Sequence, residues 1–470
     1  MTSRRRFLAT TGAFVAAPTL SLAATEPEPP GRTGYILMDV ETGAILASRA
    51  ADDAFIPAST TKSITALATL STLAPETRFH TRIHASGPLE NGVLEGDLTL
   101  MGGRDANHDT SDLAELAKAL RSKGLRRVTG AFNTTGIAGP QRPVLNQQQP
   151  LQAGYNPAIG SLCLNYNRVL LRWRNRGGKR ILTTHAYADK RSIPARSVLF
   201  READGATTPR HEIEGSREVW TLPAQDLARD GERWFPVRRP ALYAAWVFRD
   251  LCAAEGITLP EPGETSVMPT DAPLALHQSD VVFGQIKKMM KYSTNLTAEV
   301  LGIAAAQRIG GTPMTVEDAA RTTQEWLLSE GIVEGDLTLE NHSGLSTRSR
   351  ISPRQMVDIL RAGYQRFDTG YIGLHSKGRM RGSKTGLPTY DFRTKTGTMH
   401  FVRGLCGFIE VDGRRAAFAV FSNDEDRRAA LDARYSPYLE RRPAGARRWL
   451  RQALNHENAL IRSWISRRLR

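Results

Sequence analysis

The sequence predicts an α+β protein, built as an antiparallel sheet flanked by helices and interrupted by a large α+β insertion. Strand-forming segments lie near both ends of the chain, in residues 34–48 and 392–421. An amphipathic helical pattern follows from about residue 446 to residue 469. Between these parts, residues 79–273 mix short strands, helices and glycine-rich turns. A sheet formed by both ends of the chain and covered by helices fits this order.

The first strands are predicted as a β-hairpin. Residues 34–40 form one strand, residues 41–43 a turn, and residues 44–48 the returning strand. Pro57 and Ala58 then precede Ser59, and apolar residues recur at helical spacing after it, at Ile64, Leu67, Leu70 and Leu73. The pattern places Ser59 at the start of a helix.

The inserted region contains two predicted helices. They span about residues 111–124 and 240–256, and strand-like stretches lie at residues 128–132 and 257–259. Because its elements are short and mixed, we expect two subdomains. The parts of the chain are then residues 31–78 plus 274–470 for the main domain, residues 79–150 plus 221–273 for the outer inserted subdomain, and residues 151–220 nested within it.

The C-terminal part supplies three strands and a closing helix. The strands are expected at residues 392–401, 403–411 and 416–421, with a hairpin turn at Asp412 and Gly413. In the closing helix, apolar residues occupy one face and arginines the other. Such a helix can lie on an anionic membrane. We favour the alternative that its apolar stripe packs on the sheet and leaves the arginines in solvent.

Composition narrows the classes of function. The 470 residues carry a net charge of +15. This charge indicates either a basic, solvated surface or attraction to a polyanion such as nucleic acid, anionic lipid or an anionic cell wall. No zinc-finger, recognition-helix or RNA-binding signature accompanies the charge, so nucleic acid is disfavoured. Three widely spaced cysteines allow at most one disulfide, and neither they nor the ten histidines show the spacing of a metal site.

The first 30 residues are expected to be an export signal and a linker. Basic residues come first, an apolar stretch runs from about residue 10 to residue 22, and small residues follow. Residues 3–8, Ser-Arg-Arg-Arg-Phe-Leu, resemble the twin-arginine export motif. The mature protein is therefore expected outside the cytoplasm, in the periplasm.

The first chemical motif joins Ser59 to Lys62. Residues three apart on a helix share a face, so the lysine amine can reach the serine hydroxyl. A serine hydroxyl is a weak nucleophile that needs a neighbouring base. A lysine serves as that base when burial and positive neighbours lower its pKa. The spacing alone is common, and an N-cap serine with a solvated lysine would look the same.

Two further motifs are weak alone. In the first, Ser293 and Asn295 can both point into a cleft, where Ser293 can relay a proton and the Asn295 amide can hold a substrate carbonyl. The second is Lys395-Thr396-Gly397-Thr398 on a predicted strand. Lys395 offers positive charge and Thr396 a hydroxyl to a substrate carboxylate, and Gly397 lets the ligand backbone approach closely. The backbone N–H of Thr398 pairs with that of Ser59 as an oxyanion hole. Lys384-Thr385-Gly386 is a second copy, disfavoured because Pro388 follows it.

The three motifs in this order resemble the serine penicillin-recognising enzymes. The roughly 230 residues between Ser59 and Ser293 resemble one branch, the class C low-molecular-weight penicillin-binding proteins, in which two domains are inserted after the first motif. Residues 293–299 and Ser343-Gly344-Leu345-Ser346 also resemble that branch. The chain departs from it at Asn341-His342, where the family usually has Asp-Gly, and in residues 378–381.

The resemblance implies a penicillin-binding, β-lactamase-like main domain and an acyl-transfer reaction. Ser59 would attack the bond between two D-alanine-like residues of a peptidoglycan stem peptide, and water would then release the acyl group, with no metal or organic cofactor. Such enzymes also cut D-alanyl to meso-diaminopimelate cross-links and are acylated by β-lactams. Two alternatives stay open: a β-lactamase or esterase on the same fold, and a non-catalytic cell-wall-binding scaffold.

Overall fold

The computed structural model describes residues 28–177, 179–188, 191–378, 387, 389–434 and 443–469. The predicted export signal and the second Lys-Thr-Gly copy at residues 384–386 lie outside these residues, apart from the end of the linker. The α+β class is confirmed. Among the described helices, none has both the length and the apolar character that crossing a bilayer requires.

The described strands are β1 (Arg32–Asp39), β2 (Ile45–Arg49), β3 (His80–Ala85), β4 (Leu89–Glu90), β5 (Val93–Leu94), β6 (Leu98–Gly102), β7 (Arg127–Val128), β8 (Phe132–Gly136), β9 (Arg168–Arg176), β10 (Lys179–Ala188), β11 (Arg191–Pro194), β12 (Val198–Ala203), β13 (Arg210–Glu214), β14 (Arg217–Pro223), β15 (Gly231–Pro236), β16 (Pro262–Glu264), β17 (Ala275–Gln278), β18 (Ser376–Lys377), β19 (Tyr390–Met399), β20 (Val402–Val411) and β21 (Arg414–Asn423).

The described α-helices are α1 (Thr61–Thr72), α2 (Thr110–Ser122), α3 (Pro240–Ala254), α4 (Val282–Tyr292), α5 (Asn295–Gly310), α6 (Val316–Ser329), α7 (Pro353–Leu374), α8 (Glu425–Ala433) and α9 (Ala446–Arg467).

The main sheet joins the two ends of the chain. Its strand order is β18-β19-β20-β21-β1-β2, and every pair in it is antiparallel. The first strand pairs with the last over its full length, with Tyr35 opposite Val420. The predicted hairpin and the three predicted C-terminal strands are therefore all present. The helices that cover its two faces come from the long segment between β2 and β18 and from the chain after β21.

Each face of the main sheet is covered by an apolar core. One core packs the sheet against α1, α4, α5 and α7, and includes Leu67, Met289, Leu301 and Leu360. The other packs the sheet against α9, where Leu460, Trp464 and Ile465 contact strand residues such as Leu37 and Phe418. The apolar stripe of the closing helix therefore packs on the sheet, as we favoured from the sequence.

A buried ion pair also joins α9 to the sheet. Arg403 on β20 donates from Nε and Nη2 to the two carboxylate oxygens of Glu457, each at 2.8 Å. Arg403 is 8% exposed and Glu457 6% exposed. A fork-shaped guanidinium matches a carboxylate in this way with two parallel hydrogen bonds. The pair fixes where α9 crosses the strand next to β19.

The insertion is built from several small sheets. A five-stranded sheet in the order β16-β8-β6-β3-β17 is covered by α2 and α3. The predicted strand at residues 128–132 is wrong in one respect, because it is split into β7 and β8, which belong to different sheets. Gly130 lies between them, so close to the backbone of Gly96 that a Cβ would meet its carbonyl oxygen at 2.5 Å. Residues 257–259 form only one isolated bridge, from Thr258 to Arg127.

The parts of the insertion extend further than the predicted boundaries. β17 pairs with β3, so the outer sheet continues to Gln278 instead of ending at residue 273. The nested region forms a sheet in the order β11-β10-β9-β15 and another in the order β12-β14-β13, and reaches Pro236. One apolar core spans outer and nested regions alike, from Leu100 and Phe248 to Val169 and Trp220.

The three cysteines, all among the described residues, are buried free thiols. The single disulfide that their number allowed is therefore not formed. Burial raises the pKa of the Cys406 thiol to about 12, so this thiol stays protonated inside the core.

We expect Glu457→Ala to lower the free energy of unfolding by about 3 kcal/mol, because it leaves a buried guanidinium without its counter-charge. Urea unfolding followed by tryptophan fluorescence measures the change. Glu232→Ala is the matched control, since Glu232 pairs with Arg172 at a surface site that is more than half exposed on the carboxylate side. Equal midpoints for the two variants would contradict the importance of the Arg403–Glu457 pair.

Candidate active site

Ser59 lies in a single turn that leads directly into α1. Residues Ala58–Thr60 form a 3₁₀ helix, and α1 starts at the next residue. Ala58 has a φ of +48°, a left-handed conformation that costs a residue with a Cβ about 1–2 kcal/mol. The predicted helix start is thus confirmed to within a turn. Ser59 is half-buried, whereas Lys62 has no exposed surface.

The amine of Lys62 is surrounded by three oxygen atoms. Its Nζ lies 3.0 Å from Ser59 Oγ, 2.8 Å from Asn295 Oδ1 and 2.6 Å from the carbonyl oxygen of Ser343. A neutral amine can donate to the two carbonyl oxygens and keep its lone pair for the serine hydroxyl. Burial first, and the positive charge of Lys395 second, hold the pKa of Lys62 well below its ordinary value, against an opposing contribution from Glu299.

The Ser293 and Asn295 motif occupies the turn between two helices. α4 ends at Tyr292, Ser293 adopts a left-handed conformation with φ of +56°, and α5 begins at Asn295. Asn295 accepts from Lys62 through Oδ1 and donates through Nδ2 to the carbonyl oxygen of Tyr155, at 3.0 Å. This amide therefore connects the Lys62 amine to the inserted region.

The Lys395-Thr396-Gly397-Thr398 motif lies on β19, directly beside Ser59. A Cβ on Gly397 would be 2.7 Å from the carbonyl oxygen of Pro57 and 2.8 Å from the backbone nitrogen of Ser59. Only glycine permits this approach without a shift of the backbone. Thr396 and Thr398 are exposed on the cleft side, at positions i and i+2 of the strand.

Lys395 differs from the expectation that it faces a substrate carboxylate. It is 2% exposed, and its Nζ donates to Ser293 Oγ at 2.9 Å and to the carbonyl oxygen of Thr396 at 2.7 Å. Burial lowers the pKa of Lys395 to about 8. The ammonium therefore lies behind Ser293 and the strand, where its charge acts on the cleft and on Lys62 without reaching the cleft surface.

These pieces surround one cleft of about 470 Å³. Ser59, Ser293, Asn295 and Thr398 line it, so residues far apart in the sequence are brought together. Sequence reasoning missed several other lining residues, because no motif marks them. They are Gln149 and Tyr155 from the insertion, Met399 and His400 after the third motif, and Arg428, Ala446, Arg447 and Leu450 from the C-terminal helices. Leu345, from the family-like segment at residues 343–346, lines the cleft as well.

Sequence reasoning also missed the group that holds the Ser343 carbonyl. Glu299 on α5 has no exposed surface, and its carboxylate accepts from the backbone N–H groups of His342 and Ser343 at 3.1 and 2.8 Å. Burial alone would raise the pKa of Glu299, but the hydrogen bonds and charge at His342 and Ser343 outweigh it and hold that pKa below its usual range. Glu299 thereby fixes the loop whose carbonyl accepts from Lys62.

The departure from the family pattern at Asn341-His342 lies beneath the cleft. Both residues are buried, and His342 Nε2 is 3.0 Å from Thr323 Oγ1 on α6. A Cβ on Gly302 would overlap the His342 ring, so the ring uses space that this glycine leaves. The pair therefore supports the loop from below and does not line the cleft. Of the other departing segment, residues 379–381 lie outside the described residues.

The chain is similar to proteins of known structure and function. It is 24% identical over 475 residues to the D-alanyl-D-alanine carboxypeptidase of Actinomadura sp. (strain R39), covering 92% of this chain and 86% of that protein. It is 24% identical to the D-alanyl-D-alanine carboxypeptidase DacB of Haemophilus influenzae, and the match covers 85% of this chain and 87% of that protein. The crystal structure of penicillin binding protein 4 from H. influenzae superposes with a TM-score of 0.72 at 21% identity, covering 92% of this chain and 96% of that one, and so shares the fold.

The family comparison covers nearly the whole chain. The model of the D-Ala-D-Ala carboxypeptidase 3 (S13) family matches residues 17–437, which include the nucleophile turn, the insertion and all three motifs. The predicted resemblance is therefore confirmed at the level of the family. This chain belongs to the D-Ala-D-Ala carboxypeptidase 3 (S13) family.

Proposed function

We propose that this protein is a serine D-Ala-D-Ala carboxypeptidase and endopeptidase that acts on peptidoglycan stem peptides through an acyl-enzyme. One observation carries the proposal: the buried Lys62 amine is 3.0 Å from Ser59 Oγ and is held there by Asn295 and the Ser343 carbonyl. A buried amine with a lowered pKa can accept the serine proton near neutral pH. Membership of the S13 family and the names of its relatives support the same reaction.

The acylation step follows from the geometry. Lys62 takes the proton of Ser59, whose Oγ attacks the carbonyl carbon of the penultimate D-alanine-like residue. The backbone N–H groups of Ser59 and Thr398, adjacent across Gly397, stabilise the negative charge on the carbonyl oxygen. The C–N bond then breaks, and the leaving amine receives a proton through Ser293, which also accepts from Lys395. An ester at Ser59 and a free amine result.

The deacylation step uses the same groups. A water molecule enters the place that the leaving amine has vacated and gives its proton to Lys62 as its oxygen attacks the ester carbon. The C–O bond to Ser59 breaks, and the serine recovers its proton. The stem peptide leaves with a new carboxylate. Apart from the water molecule, each step uses only the side chains and backbone N–H groups described above.

The cleft offers hydroxyl groups and a positive charge that can bind the terminal carboxylate of the substrate. Thr396 and Thr398 are exposed on the cleft side of β19, and the charge of Lys395 lies just behind them. A β-lactam offers a similar carboxylate beside its strained amide, and the H. influenzae protein has been crystallised in complex with a β-lactam. We propose that β-lactams acylate Ser59 in the same way.

Two other functions compete with this one. A β-lactamase or esterase would use the same Ser59 chemistry but would release the acyl group quickly, and a non-catalytic scaffold would not be acylated at all. Release of D-alanine from a stem pentapeptide, measured together with penicillin hydrolysis on the same sample, decides among the three. We expect D-alanine release with slow hydrolysis of penicillin.

We expect Ser59→Ala to abolish covalent labelling by a fluorescent penicillin and to lower kcat/KM for the pentapeptide by at least about 10⁴-fold. The reason is that Ser59 carries the hydroxyl beside the Lys62 amine, whereas Ser293, the other serine described in the cleft, accepts a hydrogen bond from Lys395. Gel fluorescence and peptide mapping measure the label. Ser71→Ala, which changes the last turns of the same helix, is the control and should label fully. A label on any peptide without residue 59 would refute the mechanism.

We expect Lys395→Gln to move the acidic limb of the pH–rate profile for acylation to higher pH. Only neutral Lys62 accepts the proton, so the rate rises with pH through the pKa of Lys62. The charge of Lys395 helps to lower that pKa, and removing the charge raises it. Stopped-flow acylation rates between about pH 5 and pH 10 locate the limb.

Lys377→Gln is the control for this pH shift, because Lys377 is an exposed lysine on the neighbouring strand β18. Its profile should coincide with that of the wild type. If the acidic limb of the pH–rate profile stays at the wild-type pH in Lys395→Gln, whatever the absolute rate, then Lys395 does not lower the pKa of Lys62.

We also propose export to the periplasm by the twin-arginine route, supported by the Ser-Arg-Arg-Arg-Phe-Leu sequence at residues 3–8. Arg4→Lys combined with Arg5→Lys should leave the protein in the cytoplasmic fraction.

Peripheral membrane contact through α9 is a further proposal. It would depend on the charge of the arginines, because the apolar stripe of α9 is buried on the sheet. Flotation with anionic vesicles should then be lost at high salt.

A further inference from the structure

A cluster of two histidines and two aspartates lies at the junction of the insertion and the main domain, away from the Ser59 cleft. His108 and Asp105 come from the loop after β6, Asp112 from the first turn of α2, and His277 from β17. The ligand atoms of His108, Asp112 and His277 all lie within 4.8 Å of one another. The His277 Nε2 atom is 3.7 Å from Asp112 Oδ1 and 3.9 Å from Asp105 Oδ2.

Each carboxylate in the cluster uses one oxygen for the backbone and turns the other towards His277. Asp112 Oδ2 accepts from the N–H of Asp109 at 2.8 Å as part of the cap of α2, which leaves Oδ1 facing His277. Asp105 Oδ1 accepts from the N–H of Asn107 at 2.9 Å, which leaves Oδ2 facing His277. The backbone thus orients both carboxylates, as hydrogen bonds around a metal site commonly do.

His108 presents a buried nitrogen to the cluster. The residue is 1% exposed, and its Nδ1 is 3.3 Å from the carbonyl oxygen of Cys163. If Nδ1 donates to that carbonyl, Nε2 carries a lone pair. Within the described residues, no hydrogen-bond partner reaches this Nε2. A buried imidazole fixed by a backbone carbonyl on one nitrogen and open on the other has the arrangement of a metal-binding histidine.

We propose that His108, Asp112 and His277 bind a structural Zn²⁺ ion, with Asp105 as the fourth ligand. Two imidazole nitrogens with carboxylate oxygens suit Zn²⁺ better than Mg²⁺ or Ca²⁺, which take oxygen ligands. Tetrahedral zinc with bonds of about 2.0–2.1 Å places its ligand atoms about 3.3 Å apart. The ligand atoms of His108, Asp112 and His277, which lie within 4.8 Å of one another, would therefore close in by up to about 1.5 Å through side-chain rotation.

The position of the cluster indicates what the metal does. β17 is the last strand of the inserted sheet, and α4, which ends at Tyr292 just before Ser293, follows it along the chain. The loop that carries Asp105 and His108 also reaches the main domain, because Asn107 Oδ1 accepts from Thr297 Oγ1 on α5 at 3.4 Å. Zinc would therefore tie the returning strand to this loop and fix the insertion on the helices that carry the Ser293–Asn295 motif.

The lysine that acts on Asp105 is itself paired with a carboxylate. Lys288 lies close enough to affect Asp105, but its ammonium is paired with Asp280. The three ligands are spread over about 170 residues of sequence, from 108 to 277, which is why no spacing motif marks them. The inference does not depend on the proposed peptidase activity, because the Ser59 chemistry needs no metal.

The test is titration of the full chain with Zn²⁺ alone, on protein without a histidine tag and freed of metal with EDTA. We expect one ion per chain and a rise in Tm of at least about 2 °C at saturation. His277→Asn and Asp112→Asn should each weaken binding at least about tenfold, and both residues are partly exposed, so the fold tolerates the change. His185→Asn is the control, since His185 is a partly buried histidine on β10 of the insertion, bonded to Ser192.

X-ray absorption of the zinc-loaded wild type gives an answer that does not depend on how the variants fold. We expect two imidazole nitrogens, carboxylate oxygens and no sulfur around the ion. Absence of stoichiometric binding, affinity unchanged in His277→Asn, or a sulfur ligand would each overturn the proposal. Penicillin acylation should continue in EDTA, because none of the four proposed ligands lines the Ser59 cleft.

Discussion

The amine of Lys62 has no exposed surface and lies within 3.0 Å of three oxygen atoms. Taking an ammonium out of water is costly by several kcal/mol, so the interior favours the neutral amine. Lys395 strengthens that preference, whereas the carboxylate of Glu299 opposes it. The balance of burial against these two charges decides whether Ser59 has a base beside it, and the rest of the site is arranged around that balance.

Three separate parts of the chain must meet for this amine to be buried, and each is held by a different device. Ser293 turns the chain between α4 and α5 through a left-handed conformation. Gly397 lets β19 pass against the Ser59 turn, where a Cβ would collide with backbone atoms. Glu299 holds the Ser343 loop through two backbone N–H groups. Loss of any one device would expose the amine or remove one of its acceptors.

The insertion takes part in the same arrangement. The carbonyl oxygen of Tyr155 accepts from the Asn295 amide, and Gln149 and Tyr155 line the cleft. The outer and nested parts share one core, so the segment near Tyr155 is supported by the whole inserted region. The insertion between α1 and the second motif therefore does not disturb the site. Its residues Gln149 and Tyr155 form one wall of the cleft.

The sequence by itself determined the α+β class, the hairpin at the start of the main sheet, its last three strands, the closing helix and the eight motif residues, because periodicity, turn residues and short motifs are local signals. Tertiary structure alone decided that Lys395 lies behind the cleft surface, that Glu299 holds the Ser343 carbonyl, that the predicted strand at residues 128–132 divides between two sheets, and that His108 meets His277. Each of these depends on contacts between residues far apart in the chain. Burial and distance arise only when those segments pack, so no local pattern could have contained them.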